Sequence, residues 1–137
     1  MKTFTTALTS IAFASSVTLA NANEISVGGK NFTEQQILAT MTTQYLDNLG
    51  YDVDSRSGMG SAILRQAQEN GQIDLYWEYT GTSLINYNDI SESLSPEETY
   101  QRVKELDTEK GLTWLDPSEA NNTYALAMRQ ADAEERG

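Results

Sequence analysis

EISVGGKNFTEQQILATMTTQYLDNLG, Glu24 to Gly50, decides the fold. It opens as a short strand running into a glycine pair. Thr33-Glu34-Gln35-Gln36 has the form of a capping box, in which the Thr33 hydroxyl and the Gln36 amide satisfy the first free N–H groups of a helix. Ile37, Leu38, Met41, Tyr45, Leu46 and Leu49 then recur at three and four, which predicts one apolar stripe. Gly50 suits the left-handed residue that ends such a helix.

The same order repeats downstream. Tyr51 to Arg56 alternates like a strand, and Gly58-Met59-Gly60 turns the chain into a helix over Ser61 to Asn70. Gly71 ends that helix, and Ile73 to Trp77 reads as a third strand. Strand and helix in alternation predict an α/β fold, a mainly parallel sheet flanked by helices. Ligands of such sheets sit beyond the carboxyl ends of the strands. Here those ends are Gly28 to Phe32, Ser57 to Ser61, and Glu78 to Thr82. Further on, Ser95-Pro96-Glu97-Glu98 is a second capping box with proline at the first helical position. Its helix carries Tyr100, Val103 and Leu106 and closes at Gly111. Leu112 to Leu115 and Thr123 to Met128 read as short strands around the turn at Asp116-Pro117, and QADAEERG at 130–137 as the first turns of a helix.

Composition narrows the function. The 137 residues make about one domain, and 39% apolar with 21% charged residues is ordinary globular material. Acidic residues outnumber basic ones 20 to 9, giving a net charge of -11. That balance leaves no basic face for a phosphate backbone and argues against nucleic acid. Neither Cys nor His is present, which removes thiol nucleophiles, Cys/His zinc sites and His general bases. No cofactor is expected. Residues 1–22 have a separate character: a positive start at Met1-Lys2, an uncharged segment of small, apolar and hydroxylated residues from Phe4 to Leu19, then Ala20-Asn21-Ala22. They fit a secretory signal peptide cleaved after Ala22. With no Cys to lipidate, the remainder, 23–137, is expected free in a periplasm.

Three groups of side chains invite a chemical reading. Asp74 and Glu78, four apart, would suit a secreted carbohydrate-active hydrolase with paired carboxylates, although nothing identifies a carboxyl held protonated. Lys30 follows Gly28-Gly29 at a strand-to-helix joint without the spacing of a P-loop or dinucleotide fingerprint, and suits a carboxylate as well as a phosphate. The run IDLYWEYTGT at 73–82 holds Tyr76, Trp77 and Tyr79, more rings than one short strand buries on one face. Tyr79 lies just past the third strand, and Tyr124 follows Asn121-Asn122-Thr123. Ring faces at strand mouths attract a quaternary ammonium, which has no N–H to hydrogen-bond. For either tyrosine alone, a place in the core is an equally good reading.

Three blocks together carry a resemblance: GGKNFTEQQIL at 28–38, IDLYWEYTGT at 73–82 and NNTYALAMR at 121–129. The chain resembles the substrate-binding proteins of ABC transporters for glycine betaine, choline and related osmoprotectants. The resemblance implies the first lobe of a type II periplasmic-binding-protein fold, so that 23–137 is part of lobe one and the chain an N-terminal fragment. The rest of the cage, the second lobe and the strand returning to lobe one would then lie beyond Gly137. It also implies a cage tyrosine at Tyr79 with a ligand-facing Thr82, a second tyrosine at Tyr124 with Asn122 beside it, and Lys30 meeting the ligand's carboxylate. Tyr76 is expected in the core, and Trp77 stands where such proteins are expected to have proline or a similar residue. The implied role is that of a soluble monomer that binds a quaternary-ammonium osmolyte and hands it to an inner-membrane permease, with no covalent chemistry. Choline, carnitine, proline betaine and ectoine are alternative ligands in the same fold. A truncated interaction protein without a ligand is a further alternative.

Overall fold

The computed structural model describes residues 24–136. The expected signal peptide at 1–22 lies outside them. Strand β1, Glu24–Lys30, and strand β2, Asp52–Met59, form a parallel two-stranded sheet. Register runs from Glu24 opposite Asp52 to Gly28 opposite Arg56, then shifts so that Lys30 faces Met59. Between them lies helix α1, Thr33–Asn48, and after β2 comes α2, Ser61–Glu69. The expected alternation and the parallel pairing are therefore present. A helical turn α3, Thr80–Thr82, runs into a π-helical turn, Ser83–Tyr87; α4, Pro96–Thr108, and α5, Gln130–Arg136, complete the order. Among the described residues no helix is long and apolar enough to cross a membrane.

Helix α1 departs from expectation at its start and on its faces. Its N-cap is Phe32, with no side-chain cap, and Thr33 is already helical, so the first capping box does not form. Of the expected apolar stripe, Ile37, Met41, Tyr45 and Leu49 are more than half exposed, while Leu38 and Leu46 are half-buried. What faces inward is Gln35 and Ala39, fully buried. The reason is close approach: a Cβ on Gly29 would lie 2.9 Å from that of Ala39, so only small residues let the helix lie this near β1. Gly50 ends the helix as anticipated, at φ +92°, donating to the Asp47 carbonyl at 3.0 Å. The box at Ser95 does form, with Glu98 N–H on Ser95 Oγ at 3.3 Å and Ser95 N–H on Glu98 Oε2 at 2.9 Å.

The third strand is reduced to one parallel bridge, Val27 with Leu75. Asp74 is the cause. Its carboxylate accepts the Ser26 N–H at 2.7 Å and the Ser26 hydroxyl, so a side chain takes a ladder position that a carbonyl would fill. Beyond Leu75 the chain leaves the sheet. Segments 112–115 and 123–128 are not strands either: Leu115 is exposed, and Tyr124 and Leu126 are fully so. Neither segment pairs with β1 or β2.

The core is Val27, Leu64, Ile73, Leu84, Tyr100 and Val103 with Ala39. At its edge Asp107 of α4, wholly buried, joins that helix to α2, the π-helical turn and the segment at Trp114. It accepts from Arg65 Nη1 and Nη2 at 2.9 and 2.7 Å, Ser83 Oγ at 2.9 Å, Asn88 Nδ2 at 3.1 Å and Trp114 Nε1 at 2.7 Å. Burial alone would raise this carboxyl. The hydrogen bonds from Arg65, Trp114, Asn88 and Ser83 outweigh it and hold the group well below the ordinary carboxylate range. Asp107 thereby anchors the π-helical turn that follows Tyr79 to Thr82.

Candidate functional site

The site assembles at the carboxyl end of the sheet. β1 ends at Lys30, which is 1% exposed and whose ammonium donates to Glu78. Glu78 also accepts the Tyr76 hydroxyl at 2.7 Å and the Tyr79 N–H at 2.8 Å. Having left the sheet, the 76–79 backbone is held by side chains instead: Gln35 Nε2 donates to the Trp77 carbonyl at 2.9 Å, and Trp77 Nε1 to Thr42 Oγ1 at 2.9 Å. Gln35 Oε1 is buried without a partner.

Around Tyr79 the contacts converge. Lys30 Nζ lies 5.0 Å from its ring centroid and 6.0 Å from that of Tyr76. Phe32 stacks on Tyr79 with centroids 6.2 Å apart. The Tyr79 hydroxyl donates to Glu34 Oε1 at 3.1 Å. Burial raises this phenol; hydrogen bonding to Gln35 and Asn122 acts against burial, and Glu34 acts with it, leaving the group above its ordinary value. Burial, with the Glu78 carboxylate beside it, pushes the Tyr76 phenol far higher.

Of the five residues expected at a site, the structure brings together Lys30 and Tyr79, while Asn122 is exposed and acts on the Tyr79 phenol. Thr82 is half-buried in α3, one turn past Tyr79. Tyr124 is fully exposed, two residues beyond Asn122. Tyr76 is half-buried, not fully in the core, and bonds Glu78. Phe32 and Gln35 were not among the expected site residues, and Glu78 was expected as a solvent-facing or capping acid, or else an enzymatic one. Phe32 and Gln35 sit within the quoted block at 28–38, close to the strand end, and that position was their signal.

The same geometry disfavours a carboxylate pair for hydrolysis. Hydrogen bonds from the Ser26 hydroxyl and N–H lower the Asp74 carboxyl, opposite to what a general acid needs. Glu78 is committed to Lys30, Tyr76 and Tyr79. A surface depression of about 330 Å³ is lined by Ala62, Arg65, Gln66, Glu69, Tyr87 and Lys110 and includes none of the expected residues.

Residues 23–137 match the family described as the substrate binding domain of ABC-type glycine betaine transport system. A glycine-betaine-binding protein of Pseudomonas aeruginosa is 54% identical over 119 residues, covering 87% of this chain and 38% of that protein. The glycine betaine-binding protein YehZ of Escherichia coli is 34% identical over 125 residues, covering 88% of this chain and 41% of that one. The solved structure of apo YehZ superposes with a TM-score of 0.71 at 34% identity, over 83% of this chain and 42% of its own. The chain thus spans about two fifths of the length of these relatives. With its parallel sheet, flanking helices and three sequence blocks, the chain belongs to the family of substrate-binding domains of ABC-type glycine betaine transport systems.

Proposed function

We propose that this chain supplies one wall of a binding site for a quaternary-ammonium osmolyte, glycine betaine first, in a periplasmic protein that delivers it to an ABC permease. On this reading residues 1–22 are the signal peptide and 23–137 belong to the first lobe. The ligand is bound and released without covalent change. Tyr79 and Tyr124 offer ring faces to the trimethylammonium group, Thr82 and Asn122 offer polar groups beside it, and Lys30 forms the floor beneath Tyr79. Closure of a second lobe would complete the cage.

The observation that carries the proposal is the Tyr79 ring at the end of the sheet, already serving a cation at 5.0 Å and stacked on a second aromatic. Family membership supplies the ligand class. The test is calorimetric titration of the full-length protein with glycine betaine, in wild type and in Tyr79→Ala. A desolvated cation–π contact is worth about 2 kcal/mol or more, so the variant should bind at least tenfold more weakly. Unchanged affinity in a folded Tyr79→Ala protein would remove Tyr79 from the site.

A further inference from the structure

Lys30 has the charge a ligand carboxylate would seek, yet its ammonium already has a partner. The Lys30 and Glu78 side chains are 2% and 6% exposed and form a buried ion pair. Glu78 Oε1 receives both that ammonium and the Tyr79 backbone N–H, while Oε2 receives the Tyr76 hydroxyl. One carboxylate therefore neutralises the lysine and fixes the backbone that carries the recognition ring. Beneath the Tyr79 and Tyr76 rings lies a pair of zero net charge, not a free cation.

Resting on the quaternary-ammonium reading above, we propose that Glu78 is a specificity-determining residue: by holding Lys30 it makes this wall neutral and directs recognition to the ligand's cationic head. A carboxylate entering here would have to draw Lys30 away from Glu78 and leave a buried acid short of its partner, which is strongly unfavourable. A trimethylammonium group meets ring faces backed by a neutralised ion pair and leaves that pair undisturbed. Glycine betaine and choline, which share the head and differ in the tail, are thus treated alike by this wall. Discrimination between them falls to the other parts of the site.

The test is the ratio of choline to glycine betaine Kd, by calorimetry on the full-length protein, in wild type, Glu78→Gln and Lys30→Met/Glu78→Gln. The amide introduced by Glu78→Gln keeps an acceptor for the Tyr79 N–H but frees the lysine's charge. The ratio in this variant should move towards betaine by about tenfold or more, the range of a hydrogen bond to a charged group. The double variant removes both charges and should keep the wild-type ratio, whatever each affinity becomes. An unmoved ratio in folded Glu78→Gln overturns the proposal. So does selective loss of betaine in the double variant, because Lys30 would then act on the carboxylate in spite of Glu78. If Glu78→Gln does not fold, the double variant decides alone, since it leaves no unpaired buried charge. Failure of the wild type to bind either ligand would refute the quaternary-ammonium reading itself; binding by the wild type with ratios that do not follow refutes only the role of Glu78.

Discussion

Asp107→Asn should unfold this chain more readily than any change at its surface. The carboxylate is 0% exposed and receives two hydrogen bonds from Arg65 and one each from Ser83, Asn88 and Trp114. Asparagine keeps one acceptor oxygen and turns the other into a donor facing donors. The Arg65 side chain, 5% exposed, would keep only Glu69 at 2.6 Å as an ionic partner. Breaking a buried pair in this way costs about 3–5 kcal/mol. A domain's whole stability is about 5–15 kcal/mol, so the loss is a large part of it. The assay is urea unfolding by circular dichroism, where the midpoint should fall with little change in slope. Replacing both partners by apolar residues, Arg65→Met/Asp107→Leu, should cost less than Asp107→Asn alone. The pH dependence has a definite sign. A depressed carboxyl contributes stability that is fully present above its unfolded value of about 3.9, and that stability is lost as pH falls towards the folded value. The wild type should therefore lose more stability than Asp107→Asn below about pH 4. A loss under about 1 kcal/mol in Asp107→Asn would refute the view that this acid joins the elements behind the site.

Two further outcomes follow from close contacts in the sheet. Gly28→Ala would place a Cβ 2.5 Å from Leu64 Cδ1 and 3.0 Å from Ile73 Cγ2, both side chains packed in the core, and should cost about 1–3 kcal/mol in the same urea assay. Ser26→Ala removes the hydroxyl that lowers Asp74, so the Asp74 carboxyl, followed by NMR titration, should move up towards its ordinary value. An unmoved Asp74 would mean that the backbone N–H of Ser26 alone holds it.

Local signals read well where one residue type settles a conformation. Gly50, Gly71 and Gly111 all have positive φ at the helix ends where they were expected, and the Ser95 box forms as read. Reading failed where partners far along the chain decide. Ile73 to Trp77 keeps a single bridge to β1, and the Asp74 carboxylate takes the Ser26 N–H, 48 residues earlier, a contact that no periodicity encodes. The stripe on α1 follows helical spacing, yet the inward face is chosen by the fit of Ala39 against Gly29. For the site, ring chemistry pointed to Tyr79, while the commitment of Lys30 to Glu78 depends on an approach in three dimensions. Tyr124 marks the same limit: it was expected at the start of a strand, and the residue stands fully exposed.

The departure of the chain from the sheet after Leu75 bears on how such a site diversifies. The rings of 76–79 hang from side-chain hooks, Gln35 on the Trp77 carbonyl and Glu78 on the Tyr79 N–H, instead of from a ladder shared with β1. A ladder couples every ring angle to the register of its neighbour. Hooks do not, so exchanging one or two side chains re-aims an aromatic face while β1 and β2 keep their pairing. Descendants of one scaffold can then explore ligands of different shape without renegotiating the fold that carries them.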